Sequence, residues 1–165
     1  VRSDRSTFLD NYLPYLLRRV DQTLSAPFYA ALTDYGVARS EWRVLSVLHE
    51  MGDMPVVDLA AAALSPQPTV THALSRLEKR SLVARTQGEA DKRQRFVAIT
   101  PAGKALAAEL IDHAKQLERN VLADAGDLSA LIGQIRSLTA GIETRLQTLS
   151  DNSDPISSTA ETTTS

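Results

Sequence analysis

From Leu64 to Arg80 the chain reads LSPQPTVTHALSRLEKR, and the side chains in it that can do chemistry are Ser65, Gln67, Thr69, Thr71, His72, Ser75, Arg76 and Lys79. With about 100° between successive residues of a helix, Pro68, His72, Ser75, Arg76 and Lys79 share one face, with Thr69 and Thr71 on its flanks. Val70, Ala73, Leu74 and Leu77 recur at i, i+3, i+4 and i+7 and form the opposite, buried stripe. Hydroxyls can bond base edges or phosphates, and an arginine pairs bidentately with guanine, so the polar face suits a nucleic acid. A solvated surface helix would carry the same residue types. The charge around the helix separates the two readings.

Net charge is −2, which by itself argues against a polyanionic partner, but its distribution is uneven. Residues 1–64 hold 6 basic and 8 acidic side chains, residues 65–104 hold 8 and 3, and residues 105–165 hold 4 and 9. Positive charge is concentrated in the quarter of the chain that begins with this helix. The same quarter holds SLVARTQGEADKRQRFVAIT, in which Leu82-Val83 and Phe96-Val97-Ala98-Ile99 are β-prone and polar residues lie between them, the pattern of a hairpin. Its tip carries Asp91, Lys92 and Arg93, with Arg95 just beyond, a basic clamp for a groove or a phosphate. Asp91 would be repelled by phosphate unless paired, so it is expected to brace an arginine. The plain alternative is a solvated loop tip.

These residues need elements to position them. Two prolines, Pro66 and Pro68, head the helix, where a missing N–H costs little. With Ser65 as N-cap, Pro66, Gln67 and Pro68 take its first three positions. The prolines then remove two N–H groups that could bind phosphate, leaving Gln67 and the threonine hydroxyls to anchor it. After Pro55, VVDLAAAA makes a short helix, and the pair forms a helix-turn-helix. Upstream, Leu9, Leu13, Leu16, Leu17, Val20, Leu24 and Phe28 line one side of a long helix from Phe8 to about Leu32, with Pro14 near its first turn and Pro27 kinking or ending it. A second helix follows, capped by Ser40, carrying Trp42, Val44, Leu45 and Leu48 inward and closed by Gly52. Thr100-Pro101 opens another helix through Leu106, Leu110 and Leu117. A last one runs from about Leu128 to Leu149. The expected class is mainly α with a small β-hairpin wing, and residues 150–165, rich in Ser and Thr, are expected to be a disordered tail.

Composition narrows the function further. A chain of 165 residues, 43% apolar, fits one domain with a proper core. With no cysteine, disulfides, zinc-thiolate sites and thiol redox sensing are excluded. His49, His72 and His113 are spread over three elements without metal-ligand spacing, so neither metal nor cofactor is expected. No G-x-S-x-G, phosphate loop or cluster of histidine and carboxylates points to an enzyme. No run reaches the roughly 18 apolar residues of a membrane span, and VRSDRSTFLDNY lacks a signal peptide's apolar stretch, so a cytoplasmic location is expected.

Taken together, SEWRVLSVL, LAAAALSPQPTVTHALSRLEKRSLVAR, DKR and ITPAGKAL resemble the MarR family, the winged-helix regulators named for multiple antibiotic resistance, over residues 8–149. The family pattern has glycine where this chain has Ser81, which must then take a left-handed conformation less comfortably. The resemblance implies a homodimer, with terminal helices (about 8–34 and 104–149) forming the dimerisation region and a DNA-binding lobe at about 40–100. It implies a recognition helix in the major groove, carried over to Pro68–Arg76, and a wing arginine, Arg93, in the minor groove. The function implied is a repressor on a palindromic operator of double-stranded DNA, released by a small aromatic or phenolic ligand. Tyr12 and Arg19, at the border of the first helix's apolar stripe, are the ligand candidates, while Arg18 points away from that stripe. A winged helix that binds protein or RNA is the alternative.

Overall fold

The computed structural model describes residues 7–87 and 95–151. The chain divides into two compact units, at Val121 and Leu122. The first holds a 3-10 turn (Phe8–Asn11), helices α1 (Leu13–Ala31), α2 (Arg39–Met51), α3 (Val56–Ala62), α4 (Gln67–Lys79) and α5 (Pro101–Val121), and strands β1 (Met54–Pro55), β2 (Val83–Gln87) and β3 (Arg95–Ile99). The second holds α6 (Leu128–Asp151), whose start is capped by Asp127 Oδ1 accepting from Ser129 and Ala130 N–H at 3.0 and 3.1 Å.

The expected single first helix is broken. Tyr12 is extended (φ −91°, ψ 102°) between the 3-10 turn and α1. Pro14 is the reason: it lacks the N–H that a continuous helix would bond to the Asp10 carbonyl. Pro27 does not end α1, since the helix continues past it to Ala31. The cap of α2 is also corrected. Ala38, not Ser40, is the N-cap, and its N–H donates to Glu41 Oε2 at 2.8 Å, so an acid at the third helical position does the capping. Gly52 closes α2 at φ 81°, as its position predicts.

The hairpin is present, with β2 and β3 antiparallel from Val83 opposite Ile99 to Gln87 opposite Arg95. A third strand joins it that the sequence does not announce: β1 pairs Met54 with Val97 and Pro55 with Phe96, giving the order β1-β3-β2. Two residues with a proline are too short for a period-2 signal, and only pairing with β3 defines them. Ser81 is left-handed (φ 57°), the conformation the missing glycine requires. Thr100 Oγ1 accepts from Gly103 N–H at 3.0 Å, which starts α5 as expected. A Cβ at Gly103 would collide with the Leu82 carbonyl, so this glycine lets α5 dock against the start of β2. At the far end, α6 includes Ser150 and Asp151, two residues assigned to the tail. Residues 152–165 lie outside the described residues.

One core closes the helix-turn-helix lobe: Val44, Leu45 and Leu48 of α2, Leu59 of α3, Val70, Leu74 and Leu77 of α4, Val97 of β3 and Ala107 of α5 are all 0–1% exposed. A smaller cluster joins Phe28, Leu32, Val37 and Leu110, with Trp42 edge-on to Phe28 at 4.9 Å between ring centroids.

Candidate nucleic-acid interface

α4 sits as its stripe dictates, with Val70, Ala73, Leu74 and Leu77 in the core. Gln67, Pro68, Thr69, Thr71, His72, Arg76 and Lys79 are exposed on the other side. The helix starts one residue later than expected: Pro66 is the N-cap and Pro68 the second helical residue. Ser65 does not cap it. Its hydroxyl donates to the Ala63 carbonyl at 3.1 Å and accepts from Arg43 Nη1 at 3.3 Å. The displacement follows from Leu64, which is left-handed (φ 49°) and turns the chain so that Ser65 faces back. With Pro66 outside the helix, only Pro68 removes a first-turn N–H. Those of Gln67 and Thr69 have no intrahelical acceptor and can meet a phosphate.

Two residues of the polar face are already engaged within the protein. Ser75 is half-buried, and its hydroxyl donates to the Thr71 carbonyl at 3.1 Å. Arg76, 51% exposed, places Nε 2.8 Å from Oε1 of Glu41, a carboxylate with 0% exposure. The contact is one of charge: the N–H is not aimed at Oε1, which has no hydrogen-bond donor. Arg80 approaches Oε2 of the same carboxylate at 3.9 Å and donates to the Gly36 and Tyr35 carbonyls at 2.8 and 3.4 Å. Arg85 pairs with Glu78 at 3.2 Å. Sequence reasoning missed Glu41, Arg80 and Arg43. An acid at the third position of a helix was a signal for Glu41, but nothing in the spacing announced which arginines would converge on it.

The wing exists as β2 and β3, but Asp91, Lys92 and Arg93 lie outside the described residues, and Arg95 is placed only by its backbone, opposite Gln87. Tyr12 stacks on Phe8 with centroids 4.7 Å apart. Asp10, close to Arg19, has its carboxyl held below the ordinary value, first by the Thr7 backbone N–H, then by the Thr7 hydroxyl and, opposing a small desolvation, by the Arg19 charge. A cavity of about 720 Å³ lies between α1 and α2, lined among others by Arg18, Asp21, Gln22, Tyr29, Arg39 and Arg43. Arg39 lies over the Tyr29 ring, 4.5 Å from its centroid. His113 meets the Tyr35 hydroxyl at 3.2 Å, and among the described residues no group of three or more His, Cys, Asp or Glu could hold a metal.

The MarR family model matches residues 37–94, which run from the turn before α2 into the wing. A solved MarR family transcriptional regulator, SPO1453 of Silicibacter pomeroyi, superposes with a TM-score of 0.72 at 32% identity, covering 83% of this chain and 99% of that one. The chain belongs to the MarR family. It is a winged-helix DNA-binding transcriptional regulator. The transcriptional regulator HosA of Escherichia coli O157:H7 is 31% identical over 122 residues, 74% of this chain and 87% of HosA. BpsR of Bordetella bronchiseptica, a protein whose DNA binding is regulated by 6-hydroxynicotinic acid, has a TM-score of 0.65 at 30% identity over 77% of this chain and 98% of its own. Members of the MarR family typically bind DNA as dimers, and these relatives are regulators rather than enzymes. Among the described residues no helix is long and apolar enough to cross a membrane.

Proposed function

We propose that this MarR family member is a homodimeric repressor on a palindromic operator, released by a small aromatic anion. The observation that carries the reading is the division of α4 into a core face and an outward face of Thr69, Thr71, His72 and Lys79. That face enters the major groove, while Arg93 reaches the minor groove and Lys92 and Arg95 meet phosphates. Two such lobes related by a two-fold axis place their half-sites about one helical turn, roughly 10 bp, apart. Dimerisation falls to residues 8–34 and 104–149 and the DNA-binding lobe to 40–100. Leu13, Leu17 and Val20 of α1 and Leu138, Ile142 and Leu146 of α6 are 42–61% exposed, and a second copy is the natural cover for such stripes. Tyr12, just before α1, and Arg19, at the border of its stripe, belong with this interface.

The effector belongs in the cavity between α1 and α2. Tyr29 offers a ring face, and Arg18, Arg39 and Arg43 offer guanidiniums to a carboxylate. Arg43 also holds Ser65 at the head of α4. A bound carboxylate is the stronger acceptor, so it draws Arg43 from Ser65 and loosens the start of the recognition helix.

The test is enrichment of duplexes from a randomised pool by the full chain, followed by titration of the enriched duplex with and without 6-hydroxynicotinic acid as probe, and light scattering of the free protein. The expected result is an inverted repeat bound by a dimer and weakened by the probe. Absence of an inverted repeat among the enriched duplexes overturns the palindromic operator. A monomer overturns the dimer. Removal of α6 by truncation at Gly126 is expected to cause aggregation or unfolding.

A further inference from the structure

We infer that Glu41 is a positioning residue for DNA reading: a buried carboxylate that fixes the outward guanidinium of Arg76 and ties the recognition helix to the start of α2. Glu41 is 0% exposed, yet three groups from different parts of the fold converge on it. The Ala38 N–H donates to Oε2 at 2.8 Å, Arg76 Nε lies 2.8 Å from Oε1, and Arg80 Nη1 lies 3.9 Å from Oε2. A carboxylate buried this fully persists only when paired, and here both charged partners come from the end of α4 and its C-cap.

Its partners are asymmetric. Arg80 is held a second time, by the Gly36 and Tyr35 carbonyls, so it is a tether within the fold. Arg76 has its Nε at the carboxylate while half of its side chain remains exposed on the face that carries Thr69, His72 and Lys79. A long side chain free in water loses rotamer entropy when fixed. An arginine drawn to the carboxylate at its Nε has lost part of that freedom before DNA arrives, so less remains to be lost when it meets a guanine edge or a phosphate. Helix capping alone needs only one carboxylate oxygen. The second oxygen, Oε1, has no hydrogen-bond donor and faces Arg76, which assigns Glu41 a task beyond the cap.

This inference rests on Arg76 being a DNA contact, and the experiment separates the two. The probes are the duplex that the wild-type protein enriches from a randomised pool and a random duplex of equal length. Glu41→Gln, Arg76→Gln and the double variant are titrated on both, and melting temperature is measured alongside. Glu41→Gln keeps an acceptor for Ala38 and removes the charge that holds Arg76. It is expected to lower the preference for the enriched duplex about tenfold, the size of one lost base contact, while affinity for random duplex stays near wild type. The double variant is expected to lose no more than Arg76→Gln alone. If Arg76→Gln leaves the preference intact, Arg76 does not read DNA and the reading of that residue fails together with the inference. If Arg76→Gln lowers the preference and Glu41→Gln does not, or if Glu41→Gln weakens both duplexes in step with a lower melting temperature, the positioning role is overturned and Glu41 is a structural cap. Glu41→Asp keeps the charge one methylene further back, and carries the same comparison with a smaller expected loss if Glu41→Gln does not fold.

Discussion

The recognition helix and the last helix carry the same kind of apolar stripe with opposite outcomes. Leu74 and Leu77 of α4 are 0% exposed, whereas Leu138 and Ile142 of α6 are 42% and 47% exposed. Both stripes repeat at helical spacing, so pattern alone does not distinguish them. α4 is received by α2, α3 and the sheet, a core assembled from short neighbouring elements. α6 contains no buried residue at all. Amphipathic periodicity states that a face will be covered and is silent about what covers it. In the lobe the cover comes from the same chain; for the terminal stripes the proposed cover is a second copy.

Dilution is the strongest test of that contrast. Leu74→Ala should cost about 2–5 kcal/mol of stability, by lost transfer energy and a residual cavity, and the cost should not change with protein concentration. Ile142→Ala should lower the melting temperature more as the protein is diluted, because the interface it weakens forms by mass action. Thermal melts at several concentrations decide the matter: concentration-independent melting for Ile142→Ala would mean that α6 is covered within its own chain.

A finished lobe should also tolerate changes on its DNA face without loss of stability. Arg93→Ala should weaken binding to the operator by about 1–3 kcal/mol with no change in melting temperature, and Arg93→Lys should recover only part of it, since arginine loses less hydration in a narrow groove. Wild-type affinity for Arg93→Ala would reduce the wing tip to a solvated loop. A smaller effect is expected at Lys79, exposed near the end of α4. Lys79→Ala should reduce the slope of log affinity against log salt by about 1 and weaken enriched and random duplexes alike. Selective loss on the enriched duplex would make Lys79 a reader of sequence.

The smallest effect concerns the backbone between α4 and β2. Ser81 is left-handed at φ 57°, and Ser81→Gly should raise stability by up to about 1 kcal/mol by relieving the Cβ contact. Its N–H donates to the Glu78 carbonyl at 2.9 Å and its carbonyl accepts from the Thr100 hydroxyl at 2.8 Å, and glycine retains both groups. A lower melting temperature for Ser81→Gly would show that the left-handed turn is not strained.

The sequence by itself determined the parts of this protein that depend on local spacing. The stripe of α4, the hairpin and the Thr100 start of α5 could all be read because each rests on the spacing of residues near one another in the chain, while the left-handed Ser81 came with the family resemblance. Tertiary structure decided what depends on residues far apart in the chain. Glu41 and Arg76 meet because α2 packs on α4, Arg43 reaches Ser65 across the same packing, and β1 exists only by pairing with β3. Arg18 rather than Arg19 lines the cavity for the same reason: the neighbour of α1 on that side is α2, and no period in the α1 sequence names its neighbour. Local rules follow from dihedral angles and side-chain spacing, which every segment carries with it, whereas the meeting of distant charges is fixed only when burial brings their helices together.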